Sequence, residues 1–260
     1  MAARPRRIAI AAALIALAVT IGIIAAVMVN SRQPSLREIF PYGEIRIGVD
    51  ASNPPFAVAT SDDLFGLEID VGRAIGEQIG LPVRFVNMTF DGLYDSLKAD
   101  QVDMVIATLT IEQQRLGDVL YTRHYFNAGL VLVSPMNNRL GTMESLPGHS
   151  LAYEYGSDAD VLARRWLRRI APFKTQPYEL PDHALDAVRF GQADAALVDA
   201  TSARLHLREH GWQANLSYIT DNWYPVAVPI EQVARWQLVD KAVRALADDG
   251  TLNEILNNWL

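Results

Sequence analysis

The 260-residue sequence predicts an α/β protein of two lobes, preceded by an N-terminal transmembrane or signal helix. Three observations predict it. Residues 8–29 form an unbroken apolar run without a single charge. Beyond Ser35, short β-branched stretches alternate with amphipathic ones, the pattern of strand–helix units on mainly parallel sheets. The alternation comes as two series divided by the turn-rich segment 137–148, which implies two lobes rather than one long sheet.

The apolar run follows Arg4, Arg6 and Arg7. A helix rising about 1.5 Å per residue over this stretch is long enough to cross a ~30 Å hydrocarbon core. Signal-peptide apolar regions are shorter, roughly 7–15 residues, and Val27, Met28, Val29 and Asn30 make a poor cleavage site. Length therefore favours a retained anchor over a cleaved signal. The basic flank stays in the cytoplasm and puts residue 36 onward outside, on the periplasmic side.

In the first series, Glu44–Val49 alternates as a strand, and Val71, Ala74, Ile75 and Ile79 share one face of a helix over residues 70–79. A strand at 83–86 follows, then a helix capped by Asp91, and buried strands at 102–107 and 129–133. The second series has strands at 150–155, 174–178, 194–198 and 216–220. Between them come helices at 158–170, 182–190 and 201–210. A strand near 226–228 and helices at 231–248 and 251–259 close the chain. Lobe changes are expected near 135–148 and 221–225. The expected division is 1–35 leader, 36–134 with 224–260 as a discontinuous first lobe, and 135–223 as the second.

Composition excludes several functions. The first 35 residues hold four of the 23 basic residues and no acid, so the body carries 19 basic against 30 acidic side chains. An acidic body does not suit nucleic acid. The absence of cysteine excludes disulfides, thiol catalysis, Cys-based zinc sites and a lipoprotein anchor. The sequence carries no Ser-His-Asp, HExxH, P-loop or dinucleotide fingerprint. The histidines are 124, 149, 183, 206 and 210. His206 and His210 share a helical face at i, i+4, but no third ligand is in view, so they read as surface residues and no metal is expected.

Ligands of open α/β sheets gather beyond the carboxyl ends of strands. Four such ends are polar here: Asp50-Ala51-Ser52-Asn53, Ala107-Thr108-Leu109-Thr110 ahead of Arg115, Gly156-Ser157-Asp158, and Val198-Asp199. Two fall in each lobe, as suits a site closed between lobes. Asp158 reads equally as a helix N-cap, and Thr201 could share that job with Asp199. Arg115 by pattern alone is a solvated arginine, and Phe90 and Phe56 are packing residues.

Four segments carry a resemblance: GVDASNPPF (48–56), FGLEIDVGRAIGEQIG (65–80), FDGLYDSLKADQVDMVIATLTIEQQR (90–115) and LADDGTLNEILNNWL (246–260). They are similar, in order and spacing over nearly all of residues 40–260, to the bacterial family 3 extracellular solute-binding proteins of polar amino acid ABC transporters. The resemblance implies a type II periplasmic-binding-protein fold and no enzymatic activity or cofactor. It implies a small polar ligand, an amino acid, and an ABC permease as partner. It implies that Arg115 pairs with the ligand carboxylate, a contact for which a planar guanidinium fork is better shaped than lysine. Asp199 would bind the α-ammonium, Phe90 would stack on the ligand side chain, Thr108 and Thr110 would supply donors, and Asp50 would face a cationic group. Three positions depart from the family: Asn53 replaces an aromatic opposite Phe90, Asp158 a common threonine after Ser157, and Thr108 a common glycine. An ionised Asp158 aimed at a carboxylate would repel it.

Two rival functions sit on the same fold. A cyclohexadienyl-dehydratase-like enzyme would carry a glutamate soon after the second-lobe turn, where this chain has Ala159. A ligand-sensing module would serve a signalling partner in place of a permease.

Overall fold

The computed structural model describes residues 34–260. The apolar run 8–29, and the anchor or signal helix read from it, lies outside the described residues. Among the described residues no helix is long and apolar enough to cross a membrane. The described residues fall in two units, 34–41 and 42–260. In the first, a one-turn helix α1 (Leu36–Ile39) is closed by a capping box in which Ser35 Oγ and N–H both donate to Glu38 Oε2.

The second unit is built on two five-stranded mixed sheets of like order. The first contains β1 (Ile45–Val49), β5 (Val83–Asn87), β6 (Met104–Val105), β7 (Val119–Asn127) and β13 (Trp223–Pro229), ordered β5-β1-β6-β13-β7. The second contains β8 (Leu130–Pro135), β9 (Ser150–Glu154), β10 (Lys174–Tyr178), β11 (Ala195–Asp199) and β12 (Ala214–Tyr218), ordered β10-β9-β11-β8-β12. In each sheet the first three strands pair parallel and the last two pairings are antiparallel, so the expectation of mainly parallel pairing holds only for the first three. Ser52–Asn53, Ala57–Ala59 and Leu64–Phe65 (β2, β3 and β4) form a small antiparallel meander.

The antiparallel strands correct one boundary. Leu130–Ser134, assigned by sequence to the first lobe, lies in β8, which pairs with β11 and β12 in the second sheet. The chain therefore passes between the sheets at 128–129, not near 135, and returns at 219–222. β7, nine residues long, escaped sequence reading because its burial does not alternate cleanly: Thr122 and Tyr125–Asn127 are buried while Arg123 is exposed.

Helices cover the sheets. On the first lie α2 (Leu67–Ile79), α3 (Leu93–Lys98) and α7 (Val233–Asp248), and α8 (Thr251–Trp259) packs on α2 and α7. On the second lie α4 (Asp158–Trp166), α5 (Pro181–Arg189) and α6 (Ala200–Glu209). Asp91 is not a cap: it sits inside a 3₁₀ turn, Phe90–Gly92, whose N-cap is Thr89. The C-terminal helices are tied to the first sheet by polar pins. Trp236 Nε1 donates to the Tyr121 carbonyl at 2.9 Å, and Arg123 N–H to Asp240 at 2.6 Å. Trp259 Nε1 reaches Asp70 on α2 at 2.8 Å.

Each sheet has its own apolar core. Leu93, Val105, Leu109 and Val119 pack in the first, and Leu132, Leu146, Leu151 and Leu197 in the second. Full burial of such side chains contributes about 1.5–3 kcal/mol each. β1 is buried along its whole length, including Arg46. That charge is matched by buried Asp103, which takes Arg46 Nε at 3.1 Å and Nη2 at 2.9 Å and lies 3.2 Å from Arg235.

Candidate functional site

The crossing between sheets is held by one buried side chain. Asn127 Oδ1 accepts the N–H groups of Gly129 and Asn222, each at 2.9 Å, and its Nδ2 donates to Asp221 at 2.8 Å. The two passages are pressed together here. A Cβ on Gly129 would lie 1.9 Å from the Thr220 carbonyl oxygen, so only glycine fits.

Beyond β6 the chain turns through Thr108 at φ +47°, a left-handed conformation that a β-branched residue adopts at a cost. Glycine adopts it without that cost. The turn is over-determined by its neighbours. Thr108 N–H donates to Glu68 Oε1 at 2.5 Å and approaches Tyr125 Oη at 3.2 Å, and Tyr125 O–H donates to the same Glu68 oxygen. Asn53 Nδ2 donates to Thr108 Oγ1 at 3.2 Å. Asn53 thus braces the turn. Glu68 is 1% exposed. Burial pushes its carboxyl up from 4.5 to about 7, the hydrogen bonds from Tyr125 and Thr108 oppose this, and the charge of Asp50 adds to it.

In the second sheet, Ser157 caps α4: its Oγ accepts Asp160 N–H at 3.4 Å and donates to the Glu154 carbonyl at 2.7 Å. Asp158 is the first helical residue and not the cap. Asp199 caps α6 through Ser202 N–H at 2.9 Å, a role Thr201 does not share. Ser157, Asp158 and Asp199 line one cavity of about 660 Å³. Glu154 and Asp221 bring its acids to four, against the single guanidinium of Arg165. Tyr224 enters from the first sheet. Burial pushes its phenol up, and the charges of Asp199 and Glu68 push the same way.

The remaining candidates lie apart. Asp50 and Phe90 line a concavity of about 350 Å³, with Phe90 44% exposed. Asp50 Oδ1 accepts Ser52 N–H and Oγ–H at 3.1 and 2.7 Å. Arg115 lies with its guanidinium 4.5 Å from the centre of the Tyr94 ring and lines a separate cavity of about 270 Å³. Its Nε is buried without a hydrogen-bond partner. Thr110 is half-buried and lines none of these cavities. Phe56 packs against Phe126 and Tyr224, with ring centroids 5.9 Å apart in both pairs.

Sequence reading missed Glu68, Tyr125 and Asn127. The available signal was an acid set between Leu67 and Ile69 on a helix whose other inward residues are apolar. His206, read as a surface residue, is 2% exposed, because α5 lies over it.

Comparisons with known proteins agree with this architecture. The L-arginine-binding protein of Pseudomonas aeruginosa is 29% identical over 163 residues, 62% of this chain and 58% of that protein, so the match spans little more than half of that relative. The ABC transporter arginine-binding protein 1 of Escherichia coli is 25% identical over 224 residues, 83% of this chain and 90% of that one. The crystal structure of the L-cystine solute receptor of Neisseria gonorrhoeae, in its unliganded open conformation, shares the fold. Its TM-score is 0.74 at 21% identity, covering 87% of this chain and 97% of that one. The family model of the bacterial extracellular solute-binding proteins, family 3, matches residues 45–260, and the chain belongs to that family.

Proposed function

We propose that this protein captures a cationic amino acid between two lobes, outside the cytoplasm, for delivery to an ABC transporter. The observation that carries the ligand class is the cavity lined by Glu154, Asp158, Asp199 and Asp221 against Arg165 alone, a surplus of negative charge that favours a cationic ligand. The names of the arginine-binding relatives point the same way. In this reading Asp199 takes the α-ammonium, while Asp158 faces the cationic side chain and not the carboxylate. Arg115, with Thr108 and Thr110, takes the carboxylate, and Phe90 and Asp50 lie beside the ligand side chain. Arg115 and Asp199 line separate cavities, so binding requires the lobes to close about the crossings at 128–129 and 219–222. The lobes are residues 42–128 with 223–260, and 129–222. Residues 8–29 tether the protein to the cytoplasmic membrane.

Calorimetric titration of the purified protein with L-arginine, L-lysine, L-histidine, L-glutamine and L-cystine tests the ligand class. The cationic amino acids bind at least tenfold more tightly than glutamine or cystine. Equal or tighter binding of a neutral amino acid, or no binding of any cationic one, refutes the reading.

A further inference from the structure

Folding brings a third metal-ligating side chain, Asp186, to the His206 and His210 pair that the sequence places on one helical face. Asp186 lies on α5, His206 on α6, and His210 immediately follows α6. One ligand atom from each lies within 4.8 Å of the other two. The i, i+4 spacing puts both imidazoles on one face. Their ring centroids are 4.4 Å apart and the rings perpendicular, at 89°.

His206 is the informative member. Its side chain is 1% exposed, and its Nε2 is buried without a hydrogen-bond partner. A polar nitrogen left in that state is destabilising unless a partner takes it up. The atom lies 3.4 Å from Asp186 Oδ1. Bonds of about 2.0–2.1 Å in a tetrahedral zinc site set neighbouring ligand atoms roughly 3.3–3.4 Å apart, so this separation matches one edge of such a site. The other ring nitrogen, Nδ1, lies 3.5 Å from Asp182 Oδ1. A carboxylate on that side favours the tautomer that leaves Nε2 free to coordinate, as outer-shell carboxylates do for metal-bound histidines.

We propose that Asp186, His206 and His210 bind a divalent transition-metal cation such as zinc, with Asp182 orienting His206. Two imidazoles and one carboxylate suit zinc, nickel or copper, whereas calcium and magnesium take all-oxygen shells. His210 and Asp186 are accessible enough to admit the ion, and His206 forms the floor. The site is distinct from the acidic cavity. His206 lies seven residues beyond Asp199 on α6, about 10 Å along the helix axis. A bound ion cross-links α5 to α6 and stabilises the second sheet's helical layer.

The test uses the full chain, stripped with a chelator and titrated with zinc chloride by calorimetry and thermal melting, with magnesium and calcium chlorides as controls. One zinc binds per chain and raises Tm, whereas magnesium and calcium produce no shift. His210→Ala and Asp186→Asn, which alter the accessible ligands and not the buried one, each weaken zinc binding at least tenfold and leave amino-acid affinity within twofold. The cobalt complex shows the intense visible bands of tetrahedral coordination. No zinc-dependent shift, or wild-type zinc affinity in both variants, overturns the proposal.

Discussion

Replacing Glu68 by glutamine isolates a buried charge beneath the Thr108 turn. Both hydrogen bonds at this carboxyl arrive at Oε1, so a glutamine carbonyl in the same place accepts them from Thr108 N–H and Tyr125 O–H. What the substitution removes is the proton equilibrium. The native carboxyl titrates at about 7 against 4.5 when exposed, so the folded state holds a proton that the unfolded chain has released. Its contribution is complete below pH 4.5 and disappears as pH rises through 7. At 1.36 kcal/mol per pKa unit, the loss between pH 5 and pH 8 is on the order of 2–3 kcal/mol. His124 and His206, whose pKa values burial lowers, act with opposite sign: their stability is present above 6.5 and fades as pH falls. The wild-type profile alone therefore mixes the two. Urea unfolding of both proteins at pH 5, 6, 7 and 8 separates them, because the histidines are common to both. Glu68→Gln gains stability relative to wild type by that amount from pH 5 to pH 8. Parallel profiles would refute the assignment of a shifted, buried Glu68.

Four further outcomes follow from the geometry. Glu68→Ala leaves the Tyr125 hydroxyl without an acceptor and Thr108 N–H with Tyr125 Oη alone, and costs about 1–3 kcal/mol in the same assay, with weaker ligand binding. Asp199→Asn keeps an oxygen for the Ser202 N–H but removes the charge, so calorimetry shows at least a tenfold loss of cationic amino-acid affinity with little change in Tm. Asn127→Ala frees three partners at the crossing and lowers stability by about 2–5 kcal/mol in urea melts. Incubation with prephenate or arogenate gives no turnover by absorbance, and measurable product would restore the dehydratase reading.

Much of the local structure was legible in the sequence. Strand 174–178 and helix 251–259 have the observed bounds, because each is closed by neighbouring turn residues and carries its own periodicity. The strand around Gly48 shows itself by alternation and the one around Ala196 by an apolar run. Asp199 could be placed at a strand end and before a helix, and it both caps α6 and lines the acidic cavity. Asp158 could not be resolved between cap and ligand contact, since Ser157 beside it offers the same capping chemistry.

Residues 42–260 thus divide by the range of the interactions involved. Helix and strand periods, caps and turn residues depend on neighbours a few positions apart, so the sequence by itself determined the α/β class, the order of most elements and the polar strand ends. Which sheet receives Leu130–Pro135, what braces Thr108, and what faces His206 depend on residues brought together by folding. Glu68 meets Thr108 across 40 positions, and Asn127 meets Asn222 across 95. The low-dielectric surroundings that raise Glu68 exist only once those segments have packed. Tertiary structure alone decided these points, because neither a pairing partner nor the loss of water around a charge leaves a local period to read.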